Sequence, residues 1–264
     1  MSEHIVCTTA EGVLELTLNR PERKNALTQA MYEAMLQALE RVEHEPGLRV
    51  LLITGAGDSF TSGNDIGDFL AMAASDAAAS GAAASGDAAS VLRFLYALAG
   101  TDVPVVAAVN GSAFGVGVTL LFHCDFVYAS DRAMFATPFV DLGLVPEAAS
   151  SLTMPSQMGY RRAARMLLLG DRFSAAQMVE AGVVNAAFAD GEELAQARSV
   201  ALRLARKPKR ALRSSKRLMR PVDELRARIG VEAQIFQRAL SSPEALEAMT
   251  AFSEKRAPDF SRFE

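Results

Sequence analysis

The chain has 264 residues, of which 50% are hydrophobic and 22% charged, a composition typical of a globular protein with a sizeable buried core. Its formal net charge of −4 argues against a general nucleic-acid binder. Cys7 and Cys124 are too far apart in sequence to indicate a disulfide framework or a zinc site, so we expect a reducing compartment.

The sequence gives no indication of a secreted or membrane-spanning protein. The first twelve residues carry no basic and apolar secretory signal, and no apolar run approaches the ~18 residues of a membrane span. We therefore expect a cytoplasmic protein without a membrane or nucleic-acid partner. Between residues 198 and 220 every charged residue is basic. This run is either a solvated helix face or a surface that attracts an anion such as a nucleotide phosphate.

The first elements in chain order are a strand, a helix and a second strand. Residues 13–18 alternate apolar and polar side chains, which predicts a strand with one buried face. Thr28 is a suitable N-cap for an amphipathic helix that ends before Pro46-Gly47. The apolar run 49–54 predicts a strand buried on both faces, as in a parallel sheet.

A low-complexity segment occupies residues 71–90. Its alanines favour a helix, whereas its glycines and serines interrupt one. We predict a mobile helix or lid rather than part of the core. A regular helical pattern resumes over residues 91–99.

The middle of the chain continues the alternation. Residues 103–109 predict another apolar strand, and the glycine-containing turn 111–117 leads from it into a short apolar helix over 118–122. Two more strands are predicted over 125–129 and 133–137. Strands that alternate with helices imply βα crossovers and a mainly parallel α/β sheet. No internal repeat by itself requires a solenoid.

Helical signals dominate the remainder. We predict one helix over 157–169 with Ser156 as its N-cap, and a short helix that begins with a capping box at Ser174. From Glu192 onward the chain is predicted to be helical, with breaks at three prolines. We divide the chain into a core of residues 1–200 and a helical region of residues 201–264, which either packs on the core or makes subunit contacts.

The sequence lacks the motifs of several common kinds of active site. His123 lies in an apolar helix and is interpreted as a core residue. The sequence has no HExxH motif, no metal-ligand cluster and no GxSxG elbow, so a metalloenzyme or a serine hydrolase is poorly supported. The glycines of 111–117 do not match GxGxxG, and no GK[ST] motif occurs, so neither a dinucleotide fingerprint nor a P-loop is indicated.

Two candidate catalytic features remain in the sequence: the glycine turn of residues 111–117 and the carboxylate of Glu147. The amides near Val116 lie at a predicted helix start, where an oxyanion would be favoured, although the glycines could serve packing alone. Glu147 is the one acidic residue in the apolar stretch 144–149. It is either a base whose pKa is raised by its apolar surroundings or a cap of a helix that starts near Ala148.

Four stretches match a known family in order and spacing: residues 19–27, 60–66, 104–117 and 125–138. The chain resembles the crotonase superfamily, also called the enoyl-CoA hydratase/isomerase family, over essentially its whole length. The resemblance implies a spiral of ββα turns with a helical C-terminal trimerisation region. It also implies an acyl-CoA thioester ligand, a homotrimer or a dimer of trimers, no metal, and no cofactor apart from the CoA of the substrate.

The resemblance also assigns roles to individual residues. The backbone N–H groups of Asn64 and Val116 would form an oxyanion hole; many members have glycine at the second position, but only the N–H is used. Asp65 and Asp68 are otherwise interpreted as turn and cap residues. The positions expected to contact acyl-CoA are Lys24, Ala26, Ser62, Gly63, Asp65, Ile66, Phe252 and Lys255.

Departures from the family pattern decide the expected reaction. Hydratases of this family use two glutamates, where this chain has Thr119 and Phe139. Glu147 instead stands where peroxisomal-type Δ3,Δ2-enoyl-CoA isomerases have their single catalytic glutamate. The resemblance therefore implies isomerisation of 3-enoyl-CoA to 2-enoyl-CoA through a dienolate, with Glu147 as the base. The alternatives are another crotonase reaction, such as hydration or thioester hydrolysis, and a non-catalytic acyl-CoA-binding protein.

Overall fold

The computed structural model describes residues 2–65, 67–68 and 86–263, including the side chains of all of these except residues 86–89. Ile66 lies outside the described residues. The predicted lid over residues 71–90 also lies outside them, except that residues 86–90 begin a helix.

The larger sheet has antiparallel pairing at one edge and parallel pairing elsewhere. Its strands, in spatial order, are β1 (Ile5–Ala10), β2 (Val13–Leu18), β3 (Val50–Gly55), β5 (Val105–Val109), β7 (Phe126–Ser130) and β10 (Ala186–Phe188). The smaller sheet has the order β4 (Ser59–Thr61), β6 (Ser112–Phe114), β8 (Met134–Ala136) and β9 (Phe173–Ser174). Only the β8–β9 pair is antiparallel among the described strands of this sheet.

Helices follow the strand pairs and then fill the C-terminal third. The described α-helices are α1 (Gln29–His44), α2 (Gly86–Gly100), α3 (Val116–Thr119), α4 (Ser150–Met158), α5 (Tyr160–Leu168), α6 (Ala175–Glu180), α7 (Glu192–Ala205), α8 (Lys209–Met219), α9 (Val222–Leu240) and α10 (Pro243–Ser253). The successions β3–β4–α2, β5–β6–α3 and β7–β8–α4 each pass from the larger sheet to the smaller and then to a helix. The predicted α/β class and ββα spiral are confirmed.

The central strands are apolar on both faces because helices cover both faces of the larger sheet. One face of β3 and β5 contributes to the main core together with α1 and α2. The opposite face packs on α7, through residues that include Ala197 and Ala201. The burial on both faces that the sequence predicted for β3 is therefore confirmed, and β5 is buried in the same way.

The C-terminal helices pack back on this core. Leu225 and Ile229 of α9 and Met249 of α10 all belong to the main core. The predicted boundary between residues 200 and 201 falls within α7, and the division into two regions stays a prediction. In the described part of the chain, no helix combines the length and apolarity that crossing a membrane requires.

The basic run over residues 198–220 contacts acidic groups of the core. Arg198 Nη2 lies 2.7 Å from Glu15, and Lys216 Nζ lies 2.6 Å from Asp125. Lys216 is buried, and its ammonium also donates to the carbonyl oxygen of Val103 at 2.6 Å. Most basic residues of the run are exposed, as the interpretation as a solvated helix face expected, whereas the ion pair of Lys216 links α8 to the start of a core strand and was not anticipated.

One predicted helix is wrong. Residues 157–169 do not form one helix capped by Ser156, since Ser156 lies inside α4 and Gly159, with φ +82°, separates α4 from α5. The start of α4 is at Ser150, where no side chain of the helix itself acts as N-cap. A distant carboxylate occupies that place, as described below, and no local pattern could indicate it.

The capping box that begins α6 is confirmed. The Ser174 hydroxyl accepts from Gln177 N at 3.3 Å, and the Gln177 side chain accepts from Ser174 N at 2.8 Å. Replacing Ser174 with alanine leaves a backbone donor unpaired, so we expect the free energy of unfolding to fall by about 1 kcal/mol. Chemical denaturation measures this loss. Ser215→Ala on the exposed face of α8 is the matched control and should cause no loss; equal stability of the two variants would contradict the prediction.

Candidate active site

A cavity of about 770 Å³ lies between the loops that follow the strands and the C-terminal helices. Among the residues predicted to bind substrate, nine line it: Lys24, Ala26, Ser62, Gly63, Asn64, Asp65, Val116, Glu147 and Phe252. Lys255 does not line it, whereas the adjacent Arg256 does. Ile66 lies outside the described residues.

The first wall of the cavity is the loop that carries Lys24 and Ala26. Its shape depends on Asn25, which is fully buried and donates from its side-chain amide to the carbonyl oxygens of Ala56 at 2.9 Å and Ser59 at 2.7 Å. Lys24 and Asn25 both have positive φ, 50° and 55°, a conformation uncommon outside glycine. The buried asparagine therefore holds a strained loop against the smaller sheet.

The second wall is the segment from Ser62 to Asp65. Leu27 N donates to Gly63 O at 2.8 Å, and Asp65 N donates to Leu27 O at 2.9 Å, which makes a one-residue parallel bridge. The bridge leaves out the N–H of Asn64, which has no acceptor among the described residues. The Asn64 side chain is fixed separately, because its Oδ1 accepts from the buried hydroxyl of Tyr32.

Two acidic residues beside this wall have structural partners. Arg20 Nη1 lies 2.6 Å from Asp65 Oδ2, and Gly67 N donates to Asp65 Oδ1 at 2.9 Å. Burial alone would raise the pKa of Asp65, but these hydrogen bonds outweigh it and lower the pKa. Asp68 accepts from Gln29 N at the start of α1. The interpretation of both as turn and cap residues is confirmed.

The third wall is the turn from β6 into α3. Gly115 has φ +54°, and a Cβ atom added to Gly63 would lie 3.0 Å from Phe114 O, so the two loops touch through their glycines. Val116 is the first residue of α3, and its N–H has no acceptor within the described part of the chain. A Cβ atom on Gly117 would lie 2.4 Å from Thr61 Cγ2, so the glycines also serve close packing.

Glu147 supplies a carboxylate to the same cavity. Its side chain is buried, with 8% relative exposure, and Oε1 has no hydrogen-bond partner among the described residues. Burial first, and the nearby charge of Glu232 second, raise the pKa of Glu147 to about 8. Carboxyl groups with such values can act as bases near neutral pH.

Glu147 does not cap a helix. Glu232 of α9 occupies the start of α4, where it accepts from Ala149 N at 2.6 Å and from Ser151 N at 2.9 Å. Ala148 and Ala149, which follow Glu147, have φ of 57° and 59°. Left-handed alanines cost about 1–3 kcal/mol each and tend to occur where function requires them. The capping interpretation of Glu147 is therefore wrong.

Of the two positions where hydratases of this family have glutamates, one lines the cavity and the other does not. Thr119 is fully buried within the core and does not line the cavity, whereas Phe139 does. The other described carboxylates on the wall belong to Asp65, which is paired with Arg20, and to the exposed Asp141. Of the wall's described carboxylates, only Glu147 is both buried and without a salt-bridge partner.

His123 is a core residue, as predicted. It is 1% exposed, and its Nε2 lies 2.7 Å from the carbonyl oxygen of Ala148. Burial is the main reason that its pKa falls to about 4. Within the described residues, no group of three or more His, Cys, Asp or Glu side chains could hold a metal ion.

Sequence reasoning missed several residues at the site. Tyr32 and Glu232 act on it from α1 and α9, and their contacts span 32 and 83 positions of sequence. Arg172 lines the cavity with its guanidinium 5.8 Å from the Phe114 ring centre. Only Arg256 could have been found from the sequence, because it directly follows Lys255, which the family resemblance assigned to acyl-CoA binding.

The sequence matches a known protein family over nearly its whole length. The model of a family described as enoyl-CoA hydratase/isomerase matches residues 8–262. The chain belongs to the enoyl-CoA hydratase/isomerase family. The crotonase resemblance found in the sequence is thereby confirmed.

Relatives of this chain within the family have different activities. Enoyl-CoA delta isomerase 2 of Rattus norvegicus is 36% identical over 254 residues, which are 95% of this chain and 63% of that protein. The chain thus spans less than two thirds of that relative. The 2,3-dehydroadipyl-CoA hydratase of Escherichia coli K12 is 34% identical over 263 residues, 98% of this chain and 99% of that protein.

The solved structures of the family share the fold. A crystal structure of an enoyl-CoA hydratase/isomerase from Pseudoalteromonas atlantica T6c has a TM-score of 0.89 at 40% identity. The match covers 98% of this chain and 100% of that one. The crotonase fold is therefore established, while the reaction has to be argued from the site.

Proposed function

We propose that this crotonase-family enzyme is a Δ3,Δ2-enoyl-CoA isomerase, which moves the double bond of a 3-enoyl-CoA to the 2-position. The observation that carries the proposal is the buried carboxylate of Glu147, which shares one cavity with the backbone N–H groups of Asn64 and Val116, for which no acceptor is found among the residues that the structure describes. One base and an oxyanion hole are the groups that a proton shift next to a thioester requires.

The proposed reaction needs a single proton carrier. Glu147 removes a proton from C2 of the substrate, which is acidic because it lies between the thioester and the alkene. The electron pair moves onto the thioester oxygen, and the N–H groups of Asn64 and Val116 stabilise the resulting dienolate. Glu147 then returns the proton at C4, which gives the conjugated 2-enoyl-CoA. No step uses a metal or a redox cofactor.

The cavity wall suits an acyl-CoA ester. Its volume lies within the range of small-molecule sites. Its exposed basic residues Arg23, Lys24 and Arg172 favour the phosphates of CoA by charge. Arg256 is also on the wall, where it forms ion pairs with Glu247 and Glu254. Assembly as a homotrimer or a dimer of trimers and a cytoplasmic location stay predictions.

Hydration of a 2-enoyl-CoA is the second candidate, which the hydratase relative from E. coli favours. Two carboxylates normally activate and deliver the water in this family. Phe139 presents no carboxylate to the cavity and Thr119 does not reach it. The site therefore favours isomerisation over hydration.

A chain-length series of 3-enoyl-CoA substrates tests the proposed activity. The measured signal is the absorbance of the conjugated enoyl thioester, and we expect it to rise for at least one chain length. Calorimetric titration with the matching saturated acyl-CoA measures binding in parallel. Tight binding without any rise in absorbance would contradict the proposal and support a non-catalytic acyl-CoA-binding protein.

The pH dependence follows from the environment of Glu147. Its pKa is raised to about 8, first by burial and second by the charge of Glu232, and only the ionised form can accept a proton. We expect kcat/KM for 3-enoyl-CoA to increase with pH and to level off above about 8. A rate that is already maximal at pH 6 would show that another group is the base.

A further inference from the structure

One peptide group behind Glu147 is held at both ends by buried side chains. The carbonyl oxygen of Ala148 lies 2.7 Å from His123 Nε2. The N–H of Ala149, in the same peptide group, lies 2.6 Å from Glu232 Oε2. Both alanines have left-handed backbone conformations, so this peptide lies at the point where the chain turns from Glu147 into α4.

The partners of His123 define its protonation. Its Nδ1 lies 3.0 Å from Arg220 Nη2, and a guanidinium can only donate, so Nδ1 accepts. Nε2 therefore carries the hydrogen and donates to the carbonyl oxygen of Ala148. The charges facing this ring are those of Arg220 and Lys216 from α8 and its C-terminal end, and both lower the pKa of His123 in addition to burial. The ring is neutral at physiological pH.

Glu232 uses both carboxylate oxygens on the start of α4. Oε2 accepts from Ala149 N, and Oε1 accepts from Ser151 N at 2.9 Å. The side chain is 5% exposed and comes from α9, 83 positions along the chain from Ala149. A buried carboxylate that accepts two backbone N–H groups at a helix start fixes both the helix and the turn before it.

We propose that His123 and Glu232 are positioning residues that clamp the Ala148–Ala149 peptide and thereby hold the Glu147 carboxylate in the cavity. The inference rests on the proposed role of Glu147 as the base. Without the clamp, the two alanines could relax from their left-handed conformations. Because Glu147 directly precedes them, that relaxation would turn its side chain away from the substrate.

Glu232 also acts on Glu147 through its charge. It faces Glu147 from α9 as a like charge, and it is itself faced by Arg228 of the same helix. From α1, Glu147 is faced by the hydroxyl of Tyr32, whose pKa rises mainly through burial and further through the charge of Glu147. The other charged groups of the described cavity wall are Arg23, Lys24, Asp65, Asp141, Arg172 and Arg256.

Two substitutions distinguish the effect on the position of the Glu147 carboxylate from the effect on its pKa. Glu232→Gln removes the like charge and replaces one acceptor oxygen with a donor, so both the position and the pKa of Glu147 should change. His123→Phe removes the donor to Ala148 but leaves every charge near Glu147 in place, so only the position of Glu147 should change. Glu224→Gln is the matched control, since Glu224 is an exposed residue on the same helix α9.

The first measurement does not depend on turnover. Carbon-13 NMR of protein labelled at the glutamate carboxyl carbons follows the titration of Glu147, whose signal is identified by its loss in Glu147→Gln. We expect a midpoint near pH 8 in the wild-type enzyme and in Glu224→Gln, and a lower midpoint in Glu232→Gln. An unchanged midpoint in Glu232→Gln would overturn the electrostatic part of the inference.

The second measurement is the rate with 3-enoyl-CoA. We expect kcat to fall on the order of 100-fold in Glu232→Gln and His123→Phe, because misplacement of a catalytic group by about 1 Å can have this effect. KM should change little, since neither residue lines the cavity. Wild-type kcat in folded His123→Phe would overturn the clamp even if Glu232→Gln did not fold. If the wild-type enzyme converts no 3-enoyl-CoA, the proposed function fails, and the NMR titration still decides the effect of Glu232 on Glu147.

Discussion

Glu147→Gln should lower kcat for 3-enoyl-CoA by about 10²- to 10⁴-fold, which is the usual contribution of a general base. Glutamine keeps the size and shape of the side chain but cannot accept the proton from C2 at the pH of the reaction. Acyl-CoA binding should persist, because the amides of Asn64 and Val116 and the basic residues of the wall are unchanged.

Stopped-flow absorbance with 3-enoyl-CoA measures the loss, and calorimetric titration with a saturated acyl-CoA measures the retained affinity. Glu40→Gln, at an exposed position of α1, is the matched control for the same chemical change. A Glu147→Gln enzyme that retains most of the wild-type rate would show that the proton is carried by a different group.

Val116→Pro should lower kcat by about 10²- to 10³-fold, as expected when one donor of an oxyanion hole is removed. Proline deletes the N–H of Val116 and is tolerated at the first position of a helix, which is where Val116 stands in α3. Gly115, which would precede the proline, has φ 54° and ψ −120°. These angles are the mirror image of the extended region that residues before proline prefer, and glycine adopts both forms because it has no Cβ atom. Gly115 therefore does not need to change its conformation to accept the proline.

Val116→Ala is the control for this substitution. It keeps the N–H but shortens a side chain that is fully buried, so any loss through packing alone appears in both variants. Circular dichroism and thermal unfolding should show a folded protein for each. Equal rates for Val116→Pro and Val116→Ala would contradict a role of this amide in the reaction.

Local sequence patterns predicted the elements whose structure is determined by neighbouring residues. The alternation of residues 13–18 became β2, and Thr28 caps α1, where its hydroxyl accepts from Met31 N at 3.4 Å. The prolines that were expected to break the C-terminal helices stand at the N-cap of α8 and α9 and in the first turn of α10. Each of these features depends on a few adjacent residues.

Local sequence patterns did not predict elements whose structure depends on a partner far away in the sequence. The strands β4 and β6 were not predicted, since each is three residues long and exists through pairing within the smaller sheet. A helix start near Ala148 was considered, but its cap was sought in Glu147, whereas Glu232 accepts from the N–H groups at the start of α4 from the distant helix α9. Short elements and long-range caps carry no periodic signal in the sequence.

The candidate site divides in the same way. Glu147, Asn64 and Val116 were found through motifs that resemble a family, and they line one cavity. The groups that hold them, Tyr32 and Glu232, lie in other helices and were missed. Sequence indicated the reacting groups because their surroundings form contiguous motifs, whereas their supports meet only in the folded chain.

We propose that one carboxylate in this crotonase site shifts a double bond and does not add water. Two rates measured on one enzyme sample decide between these reactions: conjugation of a 3-enoyl-CoA, and hydration of the 2-enoyl-CoA of the same chain length. We predict rapid conjugation that depends on Glu147, with little or no hydration. Rapid hydration of the 2-enoyl-CoA without conjugation of the 3-enoyl-CoA would contradict the claim.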